Sequence, residues 1–546
     1  MHEKIQSIGQ KIPLSEKNLH KLNELEKFYS SIGGVVGYHE KVLRLMEGEE
    51  KGDFRFSKAP TLSLSPRAAL VGLEAMPRLA EIYPLGGLAS RLELRGERGE
   101  MLPAAALSFA GYSLLEGLIR DVAAREYLYF KCFGKKIVTP IALMASDEEH
   151  NFPYIIDICE KANWFGRGAS NFRIFNQPSV PVVTHEGEWV INNDEIFCQP
   201  NGHGAIWKRA LDEDIFAWFA SMGRDKLLIR QINNPIAGVD DLLLSFVGTG
   251  VIHKKTFGFA SCERPKGVQE GMLVQSERNG VKRISNIEYT DLKKYAIEDE
   301  GFPANTNILF ADLDKILPVI KSHPLPGLMV NLKENGHGRL ESMMQSISDA
   351  LEAHEVYLTF TPRHKTISSA KKRYVPGASL TATPEGAFYD LMRNSHDLLA
   401  ECGFELPLFP RVEEYLEKGP SFVFIYNPSL GPLYSIIKQK LRGGRIAEGA
   451  KLIIEDPEVD IENLSLEGSL EIRGSTRLKN VKVKSAKISG NFWAEDVELA
   501  QDYEVPEGEF WKLTPEGMKK GVSWQMTYRL DRKLATPITV IFSESA

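Results

Sequence analysis

Residues 81–107 read EIYPLGGLASRLELRGERGEMLPAAAL. The apolar run Leu79, Ala80, Ile82 and Tyr83 leads into Pro84, Leu85 and the pair Gly86–Gly87, and Arg91 follows four residues later. This pattern predicts the end of a strand and then a loop built to hold phosphate. Glycines let backbone N–H groups approach an anion with no Cβ in the way. Arg91, Arg95 and Arg98 can neutralise charge that the backbone only cradles. In an open α/β sheet, the ligand binds where a strand gives way to such a loop. An ordinary turn is the competing reading, because the stretch carries neither GxxxxGK[ST] nor GxGxxG.

Working outward, short apolar runs alternate with helical patterns from about Leu70 to Leu406. Candidate strands are Leu79–Pro84, Lys136–Ala145, Phe172–Phe175, Lys226–Ile232, Phe257–Cys262, Ile284–Tyr289, Thr306–Ala311 and Val356–Phe360. Candidate helices are Ser113–Arg125, Pro153–Ala162, Ile215–Met222 and Leu340–Ala353. The alternation predicts an α/β fold with a doubly wound, mixed but mostly parallel, Rossmann-like sheet. Upstream, Ser15 to Met46 reads as helix: Ser15 is placed to cap it, Leu19, Leu22, Leu25 and Phe28 share a face, and Gly33–Gly34 break it. Downstream, residues 450–499 form a ladder of short alternating apolar runs, which predicts a β-helix-like unit. The expected division is a helical cap over 1–69, an α/β domain over 70–420, a hinge over 421–445 and a β-rich domain over 446–546. Trp511 and Trp524 are expected to pack the end of that last unit.

A chain of 546 residues is too long for one core. With 43% hydrophobic and 25% charged residues it has the composition of a soluble globular protein. A net charge of −7 argues against general nucleic-acid binding but leaves room for a local basic pocket. The five cysteines are scattered with no CxxC, so neither zinc nor a disulfide framework is indicated. No apolar run approaches the length of a membrane span, and the first residues carry no signal-peptide pattern. Cytoplasm, or plastid stroma after loss of a transit peptide, is the expected location.

The segments after the strands carry the polar chemistry. SDEEHN (146–151) follows the second strand and reads as a helix N-terminus or an acidic element. NQPSVPVV (176–183) places Gln177 at a strand end before two prolines; its amide offers both a donor and an acceptor and could read a base edge, although a capping glutamine in a turn is the preferred reading of the residues alone. In CQPNGHGAIWK (198–208), Gly202 and Gly204 flank His203, where bare backbone groups can pair with a pyrimidine. RHKTISSAKKRY (363–374) is the basic run, and such runs are more often solvated faces than sites.

Several of these elements, in order, resemble those of the UDP-glucose and UDP-sugar pyrophosphorylases, and in particular the plant plastidial branch with its bacterial relatives. LGGLASRLEL is similar to that family's LAGGxGTRLG loop, with Ala89 and Glu93 standing where relatives carry glycine. PNGHGA resembles the GHG element of UTP-using members. NIEYTDL, FPANTNILF and GRLESMMQ resemble the VEY, NTN and RLECMMQ segments. The resemblance implies transfer of a uridylyl group from UTP to glucose 1-phosphate, releasing pyrophosphate. It implies Arg91 and Lys371 as the catalytic cations, Lys371 by position with Lys372 as competitor. The nucleotide falls to Leu85, Gly86, Gly87, Gln177, Gly202, His203 and Gly204, and the sugar to Glu288, Asn305 and Asn307. Mg²⁺ is the implied cofactor. Relatives hold it with an Asp, and this chain has Asn233 there, a weaker neutral ligand. Partners are the two substrates, without nucleic acid or membrane; the C-terminal unit is expected to serve packing or oligomerisation. Two alternatives stand beside this: the same chemistry on another sugar 1-phosphate (N-acetylglucosamine, galactose or a broad set), and a non-catalytic nucleotide-sugar binding protein.

Overall fold

The computed structural model describes residues 1–48, 54–87, 89–96, 98–147, 151–298, 300–330, 332 and 336–503. A mixed sheet organises the chain. Its strands run in the order Thr61–Leu62, Val356–Phe360, Phe257–Cys262, Ala304–Asp312, Lys226–Ile229, Leu79–Pro84, Ile141–Ser146 and Phe172–Gln177. Ala304–Asp312 is antiparallel to both its neighbours, and the other pairings along this path are parallel. The hairpin Met272–Arg278/Val281–Ile287 continues from Ala304. Strands such as IALMAS and FGFASC are buried along their whole length. They read as continuous apolar runs because helices cover both faces of such a sheet.

Buried charge lies inside this sheet. Glu81, on the strand of the opening stretch, is fully buried. It accepts from Arg125 Nη2 at 2.5 Å and Arg230 Nε at 3.0 Å, and Arg230 Nη1 also donates to Asp121 at 2.5 Å. Burial alone would raise the Glu81 carboxyl, but the two guanidinium groups hold it below its ordinary range. Arg230 explains why the strand predicted over 226–232 stops at Ile229: the chain leaves the ladder there, and its side chain turns into the core. The strand predicted from Lys136 starts only at Ile141, after Pro140, which has no N–H to donate.

The N-terminal helices form as the sequence expects. Ser15 Oγ accepts from Asn18 N at 3.3 Å, and helix Glu16–Phe28 buries Leu22, Leu25 and Phe28. After the break, helix Gly34–Glu47 places the Tyr38 hydroxyl on Pro181 O at 3.0 Å. Both helices therefore rest on the loops that follow the strand Phe172–Gln177.

Beyond residue 420 the strands stack in parallel, about one rung every 16 to 20 residues: Leu441 on Ile461, Lys451 on Ser469, Ser465 on Lys482 and Lys482 on Glu498. Leu452, Ile454, Ile461, Leu464, Leu470, Ile472, Leu478, Val483 and Ile488 fill its interior. The stack docks on helix Leu114–Phe133 through Arg120 on Glu455 at 2.9 Å and Lys131 on Glu458 at 2.8 Å. Trp511 and Trp524 lie outside the described residues, as does VPEGEFWKL. No helix among the described residues is long and apolar enough to cross a membrane.

Asp240 sits at this junction. Its Oδ1 accepts from Tyr434 N at 2.8 Å, and its backbone is left-handed, with φ 55°. Burial pushes its carboxyl up to about 6. The unfolded carboxyl titrates near 3.9. The ionised form is thus penalised by folding, and stability falls as pH rises from about 4 through 6. Asparagine keeps the acceptor, carries no charge and tolerates the left-handed backbone. Asp240→Asn is expected to stabilise the fold by about 1 kcal/mol at pH 7.5. Thermal melts should show the gain shrinking at pH 5, and an equal gain at both values would rule out the charge as its source.

Candidate functional site

The predicted loop follows the central strand Leu79–Pro84 and is held from below. Leu85 N donates to Met144 O at 2.7 Å, and Asn151 Nδ2 donates to Leu85 O at 3.2 Å. Gly86 then passes against Gln177: a Cβ there would lie 2.0 Å from Gln177 Oε1. Gln177 is buried and donates through Nε2 to Gly202 O at 2.7 Å. Gly86, Gln177 and Gly202 therefore meet, although they come from three different strand ends. Gly202 has φ 86°, and a Cβ on it would meet Ser342 O at 2.6 Å; Gly204 N donates to that same oxygen at 2.7 Å. Nothing within 4 Å would meet a Cβ on Gly87, so that glycine faces open space.

His203 lies between these glycines. Its Nδ1 accepts from Met344 N at 3.2 Å, which leaves the proton on Nε2. Burial, with the Lys371 ammonium beside it, pushes its pKa down to about 4, so the ring is neutral at physiological pH.

Lys371 enters from the far end of the sheet. The strap after Val356–Phe360 is clamped by two asparagines: Asn234 Nδ2 donates to Thr366 O at 2.9 Å and its Oδ1 accepts from Ser368 N at 3.1 Å, while Asn233 O accepts from Ala370 N at 2.7 Å. Arg373 N donates to Arg91 O at 2.8 Å, which ties the strap to the glycine loop. The Lys371 pKa is lowered by burial; Glu270 raises it, Arg91 lowers it and Glu288 raises it. Among the described residues, its ammonium makes no hydrogen bond or ion pair. The nearby Glu270 carboxylate is already held by Arg363 in a fork at 2.8 and 2.6 Å. Arg91 itself is exposed, in the single turn Ser90–Leu92. That turn is flanked by Ala89 (φ 50°) and Glu93 (φ 51°), the two positions where relatives carry glycine, so the loop keeps a glycine-like path at a conformational cost.

Glu288 lies near Lys371, and Asn305 joins its surroundings through Gly271, whose carbonyl accepts from Asn305 N at 3.0 Å and which packs against Asn286. Glu288 Oε1 accepts from Asn286 Nδ2 at 2.7 Å and Gln345 Nε2 at 3.0 Å, and burial raises its pKa. Asn305 Nδ2 donates to Asn307 Oδ1 at 2.9 Å, and Asn307 N donates to Asn305 Oδ1 at 3.0 Å. Asn307 has φ 56° and lies where the register jumps from Leu309 opposite Phe259 to Asn305 opposite Ser261. This bulge places the two asparagines in contact.

Asn233 Oδ1 is buried with no hydrogen-bond partner among the described residues. It fits a single neutral oxygen ligand to a hard cation. No group of three or more His, Cys, Asp or Glu that could hold a metal occurs among those residues. Ser146 N donates to Asn151 Oδ1 at 2.9 Å, and Asp147 accepts from Asn176; Glu148 to His150 lie outside the described residues.

One predicted helix does not form. Residues 340–353 are not an α-helix. Leu340–Glu341 pairs with Met329–Val330, Ser342 N donates to Asn201 O at 2.8 Å, and only a 3₁₀ stretch, Met344–Ala350, follows. Backbone groups engaged with another segment are not free for a helical ladder. Sequence reasoning consequently missed Ser342 as the residue against which both glycines pack, and Gln345 and Asn286 as partners of Glu288. The RLESMMQ resemblance was the available signal. Glu341 pairs with Arg339 at 2.7 Å.

Residues 126–376 match the family model described as UTP–glucose-1-phosphate uridylyltransferase. The chain is 34% identical to UTP–glucose-1-phosphate uridylyltransferase 3, chloroplastic, of Arabidopsis thaliana, over 93% of this chain and 73% of that protein. Among solved structures it resembles the uridine diphosphate N-acetylglucosamine pyrophosphorylase of Trypanosoma brucei (TM-score 0.59, 16% identity, 80% of this chain, 93% of that one). It also resembles an Entamoeba histolytica protein described as a UDP-N-acetylglucosamine pyrophosphorylase (TM-score 0.59, 17% identity, 73% of this chain, 100% of that one). At such identities these two speak for the fold alone. The identity to the chloroplastic enzyme over nearly the whole chain speaks for descent, and this chain belongs to the UTP–glucose-1-phosphate uridylyltransferase family.

Proposed function

We propose that the protein makes UDP-glucose and pyrophosphate from UTP and glucose 1-phosphate, reversibly. What supports this reading is that Lys371 lies close enough to Arg91, 280 positions away, to His203 beside the Gln177–Gly202 edge and to Glu288 for their charges to be coupled. A phosphate oxygen of glucose 1-phosphate attacks the α-phosphorus of UTP. One P–O bond forms, the P–O bond to the β-phosphate breaks, and the electron pair leaves with pyrophosphate. No covalent residue is required. Lys371 and Arg91 offset charge, and the loops align the reacting atoms. Neutral His203 keeps the base end free of added charge. A bound Mg²⁺ would take Asn233 Oδ1 as a ligand and offset triphosphate charge, with its other ligands from phosphate and water.

The C-terminal parallel stack is best described as β-helix-like, and we assign it and the junction around residues 421–445 to holding the catalytic domain. The direct test is pyrophosphate release from UTP plus glucose 1-phosphate in the presence of Mg²⁺. ATP should be turned over far more slowly than UTP, because a purine would leave Gln177 and the Gly202–Gly204 backbone mispaired, at about 1–3 kcal/mol for each buried group. Equal turnover of the two nucleotides would refute the base pocket. Parallel assays with N-acetylglucosamine 1-phosphate and galactose 1-phosphate test the sugar.

Glu288→Ala should raise the KM for glucose 1-phosphate and leave that for UTP nearly unchanged, since we assign Glu288, whose carboxylate is held by Asn286 and Gln345, to the sugar. A collapse of UTP affinity with an unchanged sugar KM would move Glu288 to the nucleotide.

A further inference from the structure

The surroundings of Glu288 hold more than one acceptor. A carboxylate only accepts, so both amides that reach Glu288 Oε1 must present their NH₂ groups to it. That fixes which way each amide points. Asn286 Oδ1 and Gln345 Oε1 are turned away from Glu288, and both are buried with no hydrogen-bond partner among the described residues. Gln345 is 2% exposed. Buried carbonyl oxygens without donors are uncommon in folded proteins. Here two of them flank a carboxylate whose second oxygen makes no hydrogen bond among the described residues. The cluster is rich in acceptors and short of donors.

Asn286 is held in this position by its neighbour. A Cβ on Gly271 would fall 2.2 Å from Asn286 Oδ1, so only glycine there leaves the amide where it is. Gly271 O in turn accepts from Asn305 N at 3.0 Å, which joins the cluster to the asparagine pair of the bulge. A ligand that completes such a cluster must bring several donors at once on a small apolar frame, which is the chemistry of a hexose with adjacent hydroxyls.

We propose that Gln345 and Asn286 are specificity-determining residues: each amide oxygen accepts from one sugar hydroxyl, while each NH₂ fixes the Glu288 carboxylate that accepts from a third. The inference rests on the uridylyltransferase reading and extends it from one sugar contact to three. It also predicts a preference for unmodified hydroxyls, because an acetamido group in place of a hydroxyl brings bulk and a second carbonyl toward the acceptors.

The test crosses residue with hydroxyl. Wild type, Gln345→Leu and Asn286→Leu are assayed with glucose 1-phosphate and its 2-, 3-, 4- and 6-deoxy analogues. In wild type, deleting a contacted hydroxyl should lower kcat/KM roughly tenfold, the worth of one hydrogen bond to a buried amide. In Gln345→Leu the penalty for one particular hydroxyl should vanish. In Asn286→Leu the penalty for a different one should vanish, and the KM for UTP should hold in both. Loss of packing alone would lower activity on every analogue alike and preserve the deoxy penalties. Gly271→Ala, which displaces Asn286 without altering either amide, should copy Asn286→Leu and serves if that variant does not fold. Unchanged penalties in active variants would overturn the inference while leaving the enzyme assignment intact. A folded wild type that releases no pyrophosphate from UTP and glucose 1-phosphate would overturn both.

Discussion

Lys371→Ala is expected to lower kcat by on the order of 10²–10³-fold, the scale seen when a charge-stabilising group is removed from a preorganised site. The reason lies in what the ammonium lacks. A partly buried cation is normally paired, yet this one has no carboxylate in contact among the described residues, and Arg363 has taken the charge of Glu270. Burial and the nearby Arg91 lower its pKa, so the site stores positive charge that an arriving phosphate would relieve. Folding penalises the protonated form, so the free enzyme should lose activity on the alkaline side below the ordinary lysine range. Substrate phosphate should move that limb back up. Lys371→Arg should restore little, because the guanidinium is larger and the strap around it is clamped by Asn233 and Asn234. Lys372→Ala is the control: Lys371 N and Lys372 N both donate to Ala382 O, and Lys371 lies close enough to His203, Arg91 and Glu288 for their charges to be coupled. Steady-state kinetics in which Lys372→Ala is the crippled variant would reverse the assignment.

Arg91→Ala is expected to cost on the order of 10²-fold in kcat together with weaker UTP binding. UTP brings a triphosphate into a chain of net charge −7, and Asn233, whose buried amide oxygen has no partner among the described residues, is neutral. More of the charge balance therefore rests on the two cations. Arg91 is exposed at the loop's outer turn, where its guanidinium can fork onto the departing pyrophosphate. Charge on that group grows toward the transition state, so the loss should reach kcat as well as UTP binding. Arg91→Lys should recover part of the activity, since a point charge cannot bond in a bidentate way. Arg95→Ala should be mild, because Arg95 Nη1 is engaged in closing its own turn on Gly99 O at 2.9 Å. A near-normal Arg91→Ala beside a crippled Arg95→Ala would move the pyrophosphate along the loop.

Much of this was legible in the chain. Leu79–Pro84, Phe257–Cys262 and Val356–Phe360 are strands with the bounds that their apolar runs imply, and Ser15 caps the helix that it precedes. Those features depend on neighbours a few residues away: burial on both faces, a missing proline N–H, a side-chain oxygen within reach of the next turn. The elements after the strands were also legible as polar loops, because a strand end in such a sheet has to open toward ligand. Tertiary structure decided the rest. It brought Lys371 within range of the charges of His203, Arg91 and Glu288, which the basic run alone could not show. It turned Leu340–Ala353 from an expected helix into a strand and a 3₁₀ stretch, because Asn201 and Gly204 claim the Ser342 backbone from 140 residues away. It also turned Asn286 and Gln345 into a pair of buried acceptors without donors among the described residues, because the charge of Glu288 dictates which end of each amide faces it. Periodicity along a chain records which face of an element is buried. Which polar groups meet, and which are left without a partner, depends on contacts between distant segments that no local pattern encodes.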